Sequence, residues 1–403
     1  MAFSTFSNVR LAALSAVVPR DAVRIEDELR YFGGDLEQAK RLTRVSGLDI
    51  RRKAPEGVTA SDLCASAAER LFRETGVDRS SIGAVLFVSH SPDYPLPASA
   101  SILQHRLGLS TECAALDMNV GCAGFVHGFW MASGLVQSGA CATVLLLVGD
   151  TPARFADPDN RTVAPVFGDA GTAALIVHEP GKDAGSLSFL LANNGARNEA
   201  LIIPGGGSRI PYRADEGPDA PFNATVKDAK GNPWGMGGYC TIWMDGMSIY
   251  SFGVTTVPPH IAEHLARRGM EAESLDALFL HQANKIMVET IGRKCGLPPA
   301  KVPFETMPLY GNLASSSIPA LLCAHYAKGG AGAKNETGAK DGAGVNEARG
   351  TVMLCAFGAG LAISSCILSL EKTRFLPVGE FTADADSPAR DDLIAYWHGK
   401  FAE

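Results

Sequence analysis

Four short stretches hold residues suited to nucleophilic chemistry. "MNVGCAGF" (118–125) sets Cys122 between Gly121 and Ala123, where an apolar run gives way to a helical pattern. "HQAN" (281–284) starts with His281 at the end of the apolar run "LDALFL", the position where open α/β sheets carry functional groups. "YGNLASSSIPALL" (310–322) puts Asn312 in a Gly-Asn turn ahead of a helix capped by Ser315 or Ser316. "CAFGAG" (355–360) ends a strand in Gly358 and Gly360. Such glycines either let a backbone N–H approach a ligand, as an oxyanion hole needs, or make a tight hairpin.

Cys122 alone reads two ways. Most free cysteines are buried small hydrophobes. A strand-to-helix turn, however, lies near the helix N-terminus, where amides and dipole favour a thiolate, as in a nucleophile elbow. Helical spacing follows it in Phe125/Phe129, Val126/Trp130 and Met131/Leu135, while Gly128, Ala132 and Gly134 leave a flat face for close packing. A cysteine nucleophile needs a partner from elsewhere in the chain. Among the nine histidines, His105, His260, His264 and His325 sit in amphipathic helices and read as surface groups, and His127 as a satisfied core group. No spacing suggests a metal site. No P-loop or dinucleotide fingerprint occurs, and Gly205–Gly207 open no helix.

The surrounding pattern alternates apolar strands with helices. "LAALSAVVP" reads as a strand and "SDLCASAAERLFRETG" as a helix with Ser61 as N-cap and Gly76 as stop. "IGAVLFVSH", "AALDMNV", "TVLLLVGD", "AGTAALIVHE" and "LDALFLH" read as strands; "SASILQHRLGL", "KIMVETIGRKCGL" and "SSSIPALLCAHYAK" read as helices. "TTVPPHIAEHLARRG" reads as a helix interrupted early by Pro258 and Pro259. Strands apolar throughout argue for α/β architecture with sheets covered on both faces. Each half closes on a Gly-rich turn leading into an apolar strand, a weak internal repeat. Segments 204–240 and 329–350 stand outside it, the first Gly/Pro-rich and the second low-complexity Gly/Ala.

The bulk numbers bound the class. The chain has 403 residues, 46% apolar and 20% charged, with net charge −7, so nothing points to nucleic acid. Nine scattered cysteines without a C-x-x-C pair favour reduced thiols in a cytoplasm. The N-terminus lacks the basic region of a signal peptide. The uncharged runs 118–149 and 351–370 are broken by "QSGAC" and "GAG", which favours strand and helix over a membrane span.

Taken in order, Cys122, "HQAN", "YGNLASSSIPALL" and "AFGAG" resemble the β-ketoacyl-acyl carrier protein synthase III family of condensing enzymes. "SGLDIRRKA" (46–54), "VFGDAGTAALIV" (166–177) and "MDGMSIYSFGV" (244–254) are similar too. The resemblance spans roughly residues 8 to 371. It implies an α/β fold, a thiolase-like duplicated five-layer α-β-α-β-α sandwich working as a homodimer. The expected division is an N-terminal half over 1–180, a loop region over 181–245, a C-terminal half over 246–371 and an extension over 372–403. The resemblance also implies that Cys122 takes an acyl group from a thioester. His281 and Asn312 then promote decarboxylation of a malonyl thioester, the amides of Cys122 and Ala359 form the oxyanion hole, and Phe357 stands beside the thiol. No cofactor is implied, only acyl-CoA and malonyl-acyl carrier protein as substrates. A Cys-His-Asn set suits decarboxylative condensation, whereas Cys-His-Glu would suit hydroxymethylglutaryl-CoA synthases.

Four positions bear on the substrate. The family's CoA-stacking tryptophan would fall near Lys40–Arg41, where none stands, and the arginine five residues past the catalytic histidine is replaced by Ile286. Arg161 does match a family arginine at the CoA site, but it is the one kept of three such contacts, so a carrier-protein donor gains weight. Leu96, in "DYPLPASA", occupies the position that limits acyl-chain length. The main alternative is a secondary-metabolism acyltransferase using a non-malonyl acceptor. A catalytically dead scaffold would be expected to lose Cys122, His281 or Asn312, and all three are kept.

Overall fold

The computed structural model describes residues 1–157, 160, 162–181, 187–211, 240–327, 350–382 and 400. Two sheets dominate it. The first runs β15-β2-β8-β7-β5-β6, with β16 also pairing β2; its strands are β2 (Val9–Val18), β5 (Ala84–Val88), β6 (Ala114–Met118), β7 (Thr143–Asp150), β8 (Ala170–His178), β15 (Arg374–Phe375) and β16 (Gly379–Glu380). The second runs β1-β9-β14-β13-β12, from β1 (Ala2–Phe6), β9 (Leu187–Asn193), β12 (Ala277–Leu280), β13 (Thr351–Gly358) and β14 (Ala362–Ser369). Two small ribbons pair β3 (Ala22–Arg24) with β4 (Ile50–Arg52) and β10 (Leu201–Ile202) with β11 (Trp243–Met244). In each sheet a parallel pair, β5–β7 or β12–β13, adjoins an antiparallel one.

The helices fill three layers. α2 (Ala60–Thr75) and α3 (Ser99–Arg106) cover the outer face of the first sheet. α4 (Gly124–Gln137) and α8 (Ser317–Tyr326) lie between the sheets, in a core that includes Phe125, Phe129, Phe189 and Phe279. α5 (Gly246–Arg267) and α6 (Lys285–Lys294) cover the outer face of the second sheet. Two further helices, α1 (Leu36–Ser46) and α7 (Met307–Tyr310), flank the opening between the halves. This is the expected thiolase-like five-layer sandwich. The uncharged runs resolve as expected: 118–149 into α4 and β7, and 351–370 into β13 and β14. Among the described residues no helix is long and apolar enough to cross a membrane.

The halves are less separable than the expected boundaries. β1, at the chain's start, pairs β9 in the second sheet, whereas β15 and β16, in the expected C-terminal extension, pair β2 in the first. β9 itself lies inside the segment read as loop. Both sheet edges would otherwise expose unpaired backbone groups, and the exchanged ends cover them.

Four local expectations need correction, each for a tertiary reason. The N-cap of α2 is Thr59, not Ser61; the Thr59 amide donates to Asp62 Oδ2 at 2.8 Å. Ser316 does occupy the N-cap position of α8, but neither it nor Ser315 caps through its side chain, because both hydroxyls bond into the other half. α5 runs unbroken through Pro258 and Pro259. Pro258 cannot donate to the Val254 carbonyl, and Lys294 Nζ from α6 does so instead, at 2.8 Å. Finally, His260 and His264 are buried, unlike the exposed His105 and His325. Ser365 Oγ lies 2.9 Å from His260 Nε2 and 2.6 Å from His264 Nδ1, and Ser188 Oγ lies 3.0 Å from His264 Nε2.

Burial pushes His260 down to about 4 and His264 down to about 3. The unfolded chain therefore binds protons that the fold refuses. The stability these groups contribute is complete above their ordinary value of 6.5 and is lost as pH falls below it. Between pH 7 and pH 5 each should withdraw on the order of 2 kcal/mol. Calorimetry should show Tm falling over that range, and His264→Gln should flatten the decline; an equally steep decline in that variant would refute the assignment.

Candidate active site

Cys122 owes its place to three glycines. After β6 the chain turns tightly, with the Gly124 N–H donating to the Gly121 carbonyl at 2.6 Å. A Cβ on Gly124 would sit 2.8 Å from the Val88 side chain, and one on Gly128 would sit 2.7 Å from Leu146 and Val88. The flat face of α4 is thus pressed onto the first sheet at Gly128, whereas Gly134 has open space around it. From the other sheet, the end of β13 approaches so closely that a Cβ on Gly358 would lie 2.5 Å from Cys122 Cβ and 3.0 Å from its sulfur.

His281 follows β12 and extends its pairing with β13, its N–H donating to the Cys355 carbonyl at 3.0 Å. Its ring meets that of Phe357 edge-on, centroids 5.6 Å apart. Asn312 bridges to Phe167 across the halves: its N–H donates to the Val166 carbonyl, and its carbonyl accepts from Gly168 N, both at 3.0 Å. This crossing needs Gly168, where a Cβ would meet the Tyr310 carbonyl at 1.9 Å. Asn312 Oδ1 accepts from Ala314 N at 3.0 Å, which leaves the side-chain NH₂ free to donate.

Cys122, His281, Asn312, Phe357 and Gly358 line one cavity of about 490 Å³. Its outer walls are largely apolar: Leu42 and Val45 of α1, Met244 of β11, Met247 and Tyr250 at the start of α5, and Ile286 of α6. Burial pushes the Cys122 thiol up to about 12, and the Asp150 carboxylate adds to the rise. The N–H groups of Cys122 and Ala359 both reach the sulfur and act against it. Burial alone pushes His281 down to about 4, so its ring is neutral near pH 7. The site thus pairs a masked thiol and two backbone donors with two neutral side-chain donors.

Of the residues expected from sequence, the structure brings Cys122, His281, Asn312 and Phe357 onto one cavity and sets the Ala359 amide against the Cys122 sulfur. Leu96 stands elsewhere: it is 85% exposed and does not line the cavity. Asp93 N donates to Ser99 Oγ at 3.0 Å, and the Ser99 and Ala100 amides bond Asp117. The loop is pinned at both ends and carries Leu96 outward at its tip. Arg161, residues 212–239 of the first of the two outlying segments and residues 329–349 of the second lie outside the described residues. The apolar walls from α1 and α5 were not singled out from sequence, although Met244 and Tyr250 fall in a stretch that carries the resemblance.

A buried thiol at the N-terminus of a helix lying between two sheets, on one cavity with a histidine and an asparagine, is the arrangement of a thiolase-fold enzyme. Residues 116–195 match the family model of 3-oxoacyl-[acyl-carrier-protein] synthase III, and residues 265–370 match that of its C-terminal part. The β-ketoacyl-[acyl-carrier-protein] synthase III of Rhodopirellula baltica is 30% identical over 371 residues, 88% of this chain and 96% of the relative. That of Oleidesulfovibrio alaskensis is 31% identical over 283 residues, 70% of this chain and 80% of the relative. The crystal structure of a 3-oxoacyl-(acyl-carrier protein) synthase from Burkholderia xenovorans superposes with a TM-score of 0.81 at 30% identity, covering 94% of this chain and 99% of that one. The chain belongs to the β-ketoacyl-acyl carrier protein synthase III family of condensing enzymes and is an acyltransferase.

Gly358→Ala tests the closeness of the two halves. The added methyl would press on Cys122, costing about 1–3 kcal/mol of stability and displacing the sulfur from the Ala359 amide. Acyl transfer to Cys122 should slow at least tenfold in stopped-flow assays; an unchanged rate would mean that the contact is not needed.

Proposed function

We propose that Cys122 is the acyl-accepting nucleophile and that His281 and Asn312 carry out the condensation half of the reaction. The carrying observation is the state of the two side-chain donors. Asn312 has its oxygen occupied and its NH₂ free, and His281 is a neutral ring beside it on the same cavity wall as the thiol.

In the first half-reaction the Cys122 sulfur attacks the carbonyl carbon of an acyl thioester. The carrier sulfur leaves and takes the thiol proton. The amides of Cys122 and Ala359 receive the oxyanion formed on the way. In the second, a malonyl thioester loses CO₂, and the electron pair left behind delocalises onto the thioester oxygen. His281 and Asn312 donate hydrogen bonds to that oxygen, where the low dielectric strengthens them. The enolate carbon then attacks the acyl-Cys122 carbonyl and expels the thiolate, giving a β-ketoacyl thioester. The chemistry needs no cofactor, and the substrates are an acyl-CoA or acyl-carrier thioester and malonyl-acyl carrier protein.

The assembly proposed is a homodimer, in the cytoplasm. β6 is an edge strand of the first sheet with unpaired backbone groups and exposed side chains, Leu116 at 51% among them, and Met131 of α4 is exposed as well. Edge strands of this kind are templates for pairing with a second copy. All nine cysteines are free, which fits a reducing compartment. Leu116→Lys should shift the protein from dimer to monomer in sedimentation velocity; a wild-type monomer, or a variant that stays dimeric, would count against this edge.

Cys122→Ala should abolish the mass added by acyl thioesters. Asn312→Ala should load normally yet release no CO₂ from malonyl-acyl carrier protein. Loading on Cys122→Ala would overturn the nucleophile assignment. A wild-type enzyme that loads but releases no CO₂ would favour a non-malonyl acceptor.

A further inference from the structure

A buried carboxylate beneath the site has no part in the chemistry above. Asp150, the last residue of β7, is fully buried. Its Oδ1 accepts from the His90 N–H at 3.0 Å and from Ser89 Oγ at 3.1 Å. Its Oδ2 accepts from the Ser315 N–H at 3.1 Å and from Ser315 Oγ. Each oxygen therefore faces a backbone N–H, which can only donate, so the group serves as a charge-assisted acceptor on both sides.

The two sides lead to different catalytic residues. On one, the His90 ring has Nε2 at 3.7 Å from Asp150 Oδ1. That ring also rests against Gly121, where an added Cβ would come within 2.6 Å of Nδ1. Gly121 immediately precedes Cys122. On the other side, Ser315 stands three residues after Asn312. Between them Ala314 has φ +47°, a left-handed conformation that costs a non-glycine residue energy and persists only where its surroundings enforce it. The bond from Ala314 N to Asn312 Oδ1 depends on that turn. The next two serines are tethers as well. Ser316 Oγ donates to the Val148 carbonyl at 3.0 Å, and Ser317 Oγ accepts from the amide of Gln282, the neighbour of His281, at 2.9 Å.

We infer that Asp150 is a positioning residue: its grip on Ser315 holds Ala314 in the left-handed turn and thereby keeps the Asn312 NH₂ aimed into the cavity. This rests on the condensing reading above and concerns its second half-reaction. Acyl loading uses the amides of Cys122 and Ala359, and Asp150 accepts from neither. The charged and titratable groups around the thiol are Asp150 from β7, which acts on it, His281 after β12, which shares its cavity, and His90 after β5, which packs on the neighbouring Gly121. Of these the Asp150 charge pushes the thiol up. Removing that charge therefore eases ionisation of Cys122 while it loosens Asn312, a pair of opposite effects that general loosening of the fold does not produce.

The experiment compares wild type with Asp150→Asn and Ser315→Ala in three assays: iodoacetamide alkylation of Cys122 against pH, acyl loading by intact mass, and CO₂ release from malonyl-acyl carrier protein by the pre-loaded enzyme. For Asp150→Asn the alkylation profile should move to lower pH. Loading should stay close to the wild-type rate, and condensation should fall about tenfold or more, the loss expected for a broken charge-assisted hydrogen bond. Ser315→Ala keeps the charge, so condensation should fall while the alkylation profile stays in place. Equal losses in loading and condensation, unchanged condensation, or a profile that does not move in Asp150→Asn would overturn the role. If Asp150→Asn does not fold, the ratio of condensation to loading in Ser315→Ala decides it by the same criterion. A wild-type enzyme that loads but does not condense would instead overturn the condensing reading itself.

Discussion

The backbone at the end of β13 lies in van der Waals contact with the side chain of Cys122, and only a residue without a Cβ permits it. That contact brings two sheets together at one atom. It sets the sulfur against the Ala359 amide, closes the cavity floor and removes the thiol from water. The consequences follow in order. A desolvated thiol resists ionisation, so it needs donors near the charge it develops. The donors the fold supplies are backbone amides, whose positions are fixed by β13 and by the start of α4 rather than by side-chain rotamers. Fixed dipoles of this kind cost no reorganisation when the charge appears.

The interlocking of the halves serves the same end. β1 completes the second sheet, and β15 and β16 complete the first, so neither half closes its sheet alone. Asn312 is held by carbonyl and amide groups of the segment before β8, and Ser315 and Ser316 bond to β7. His281 is continuous with the second sheet through Cys355. His281 and Asn312 thus both come from loops of the second half, and Asn312 is registered against the first half, where Cys122 sits. Each donor is neutral for a physical reason, burial for the imidazole and chemical type for the amide. A cation would attract the malonyl carboxylate and oppose its loss as CO₂, whereas a neutral donor favours charge on the thioester oxygen without binding the carboxylate first.

The sequence made legible what depends on local chemistry. Gly76 ends α2 in a left-handed conformation, and β7 spans the apolar run "TVLLLVGD". The readings that failed depend on distant partners. Pro258 and Pro259 break a helix unless something satisfies the freed carbonyl, and Lys294 is 36 or 35 positions away. His260 and His264 look polar on a helical wheel, yet the serines that satisfy them lie on β9 and β14. Leu96 was placed by resemblance to a motif, and the anchors that turn its loop outward, Ser99 and Asp117, work through backbone amides that a motif does not display. Asp150 left one trace, an acidic residue closing an otherwise apolar strand, which reads equally well as a solvated strand end. Cys122 was undecidable from its neighbours because burial belongs to both readings: the reactive cysteine of this fold is also a buried one.

A cavity with largely apolar walls also protects the intermediate. A thioester enolate is quenched by any proton donor that reaches its carbon; Leu42, Val45, Met244, Met247 and Ile286 in the walls offer none, whereas Ser46, Tyr250 and Asn284 bring polar groups to the same lining. In the proposed condensation His281 and Asn312 bond the enolate oxygen rather than its carbon. The masked thiol fits the same logic. At rest burial holds Cys122 protonated, and in the proposed reaction the departing sulfur of an acyl thioester receives that proton. The burial that makes the free thiol a poor nucleophile in water thus favours attack on a thioester, whose leaving sulfur takes up the proton as it goes.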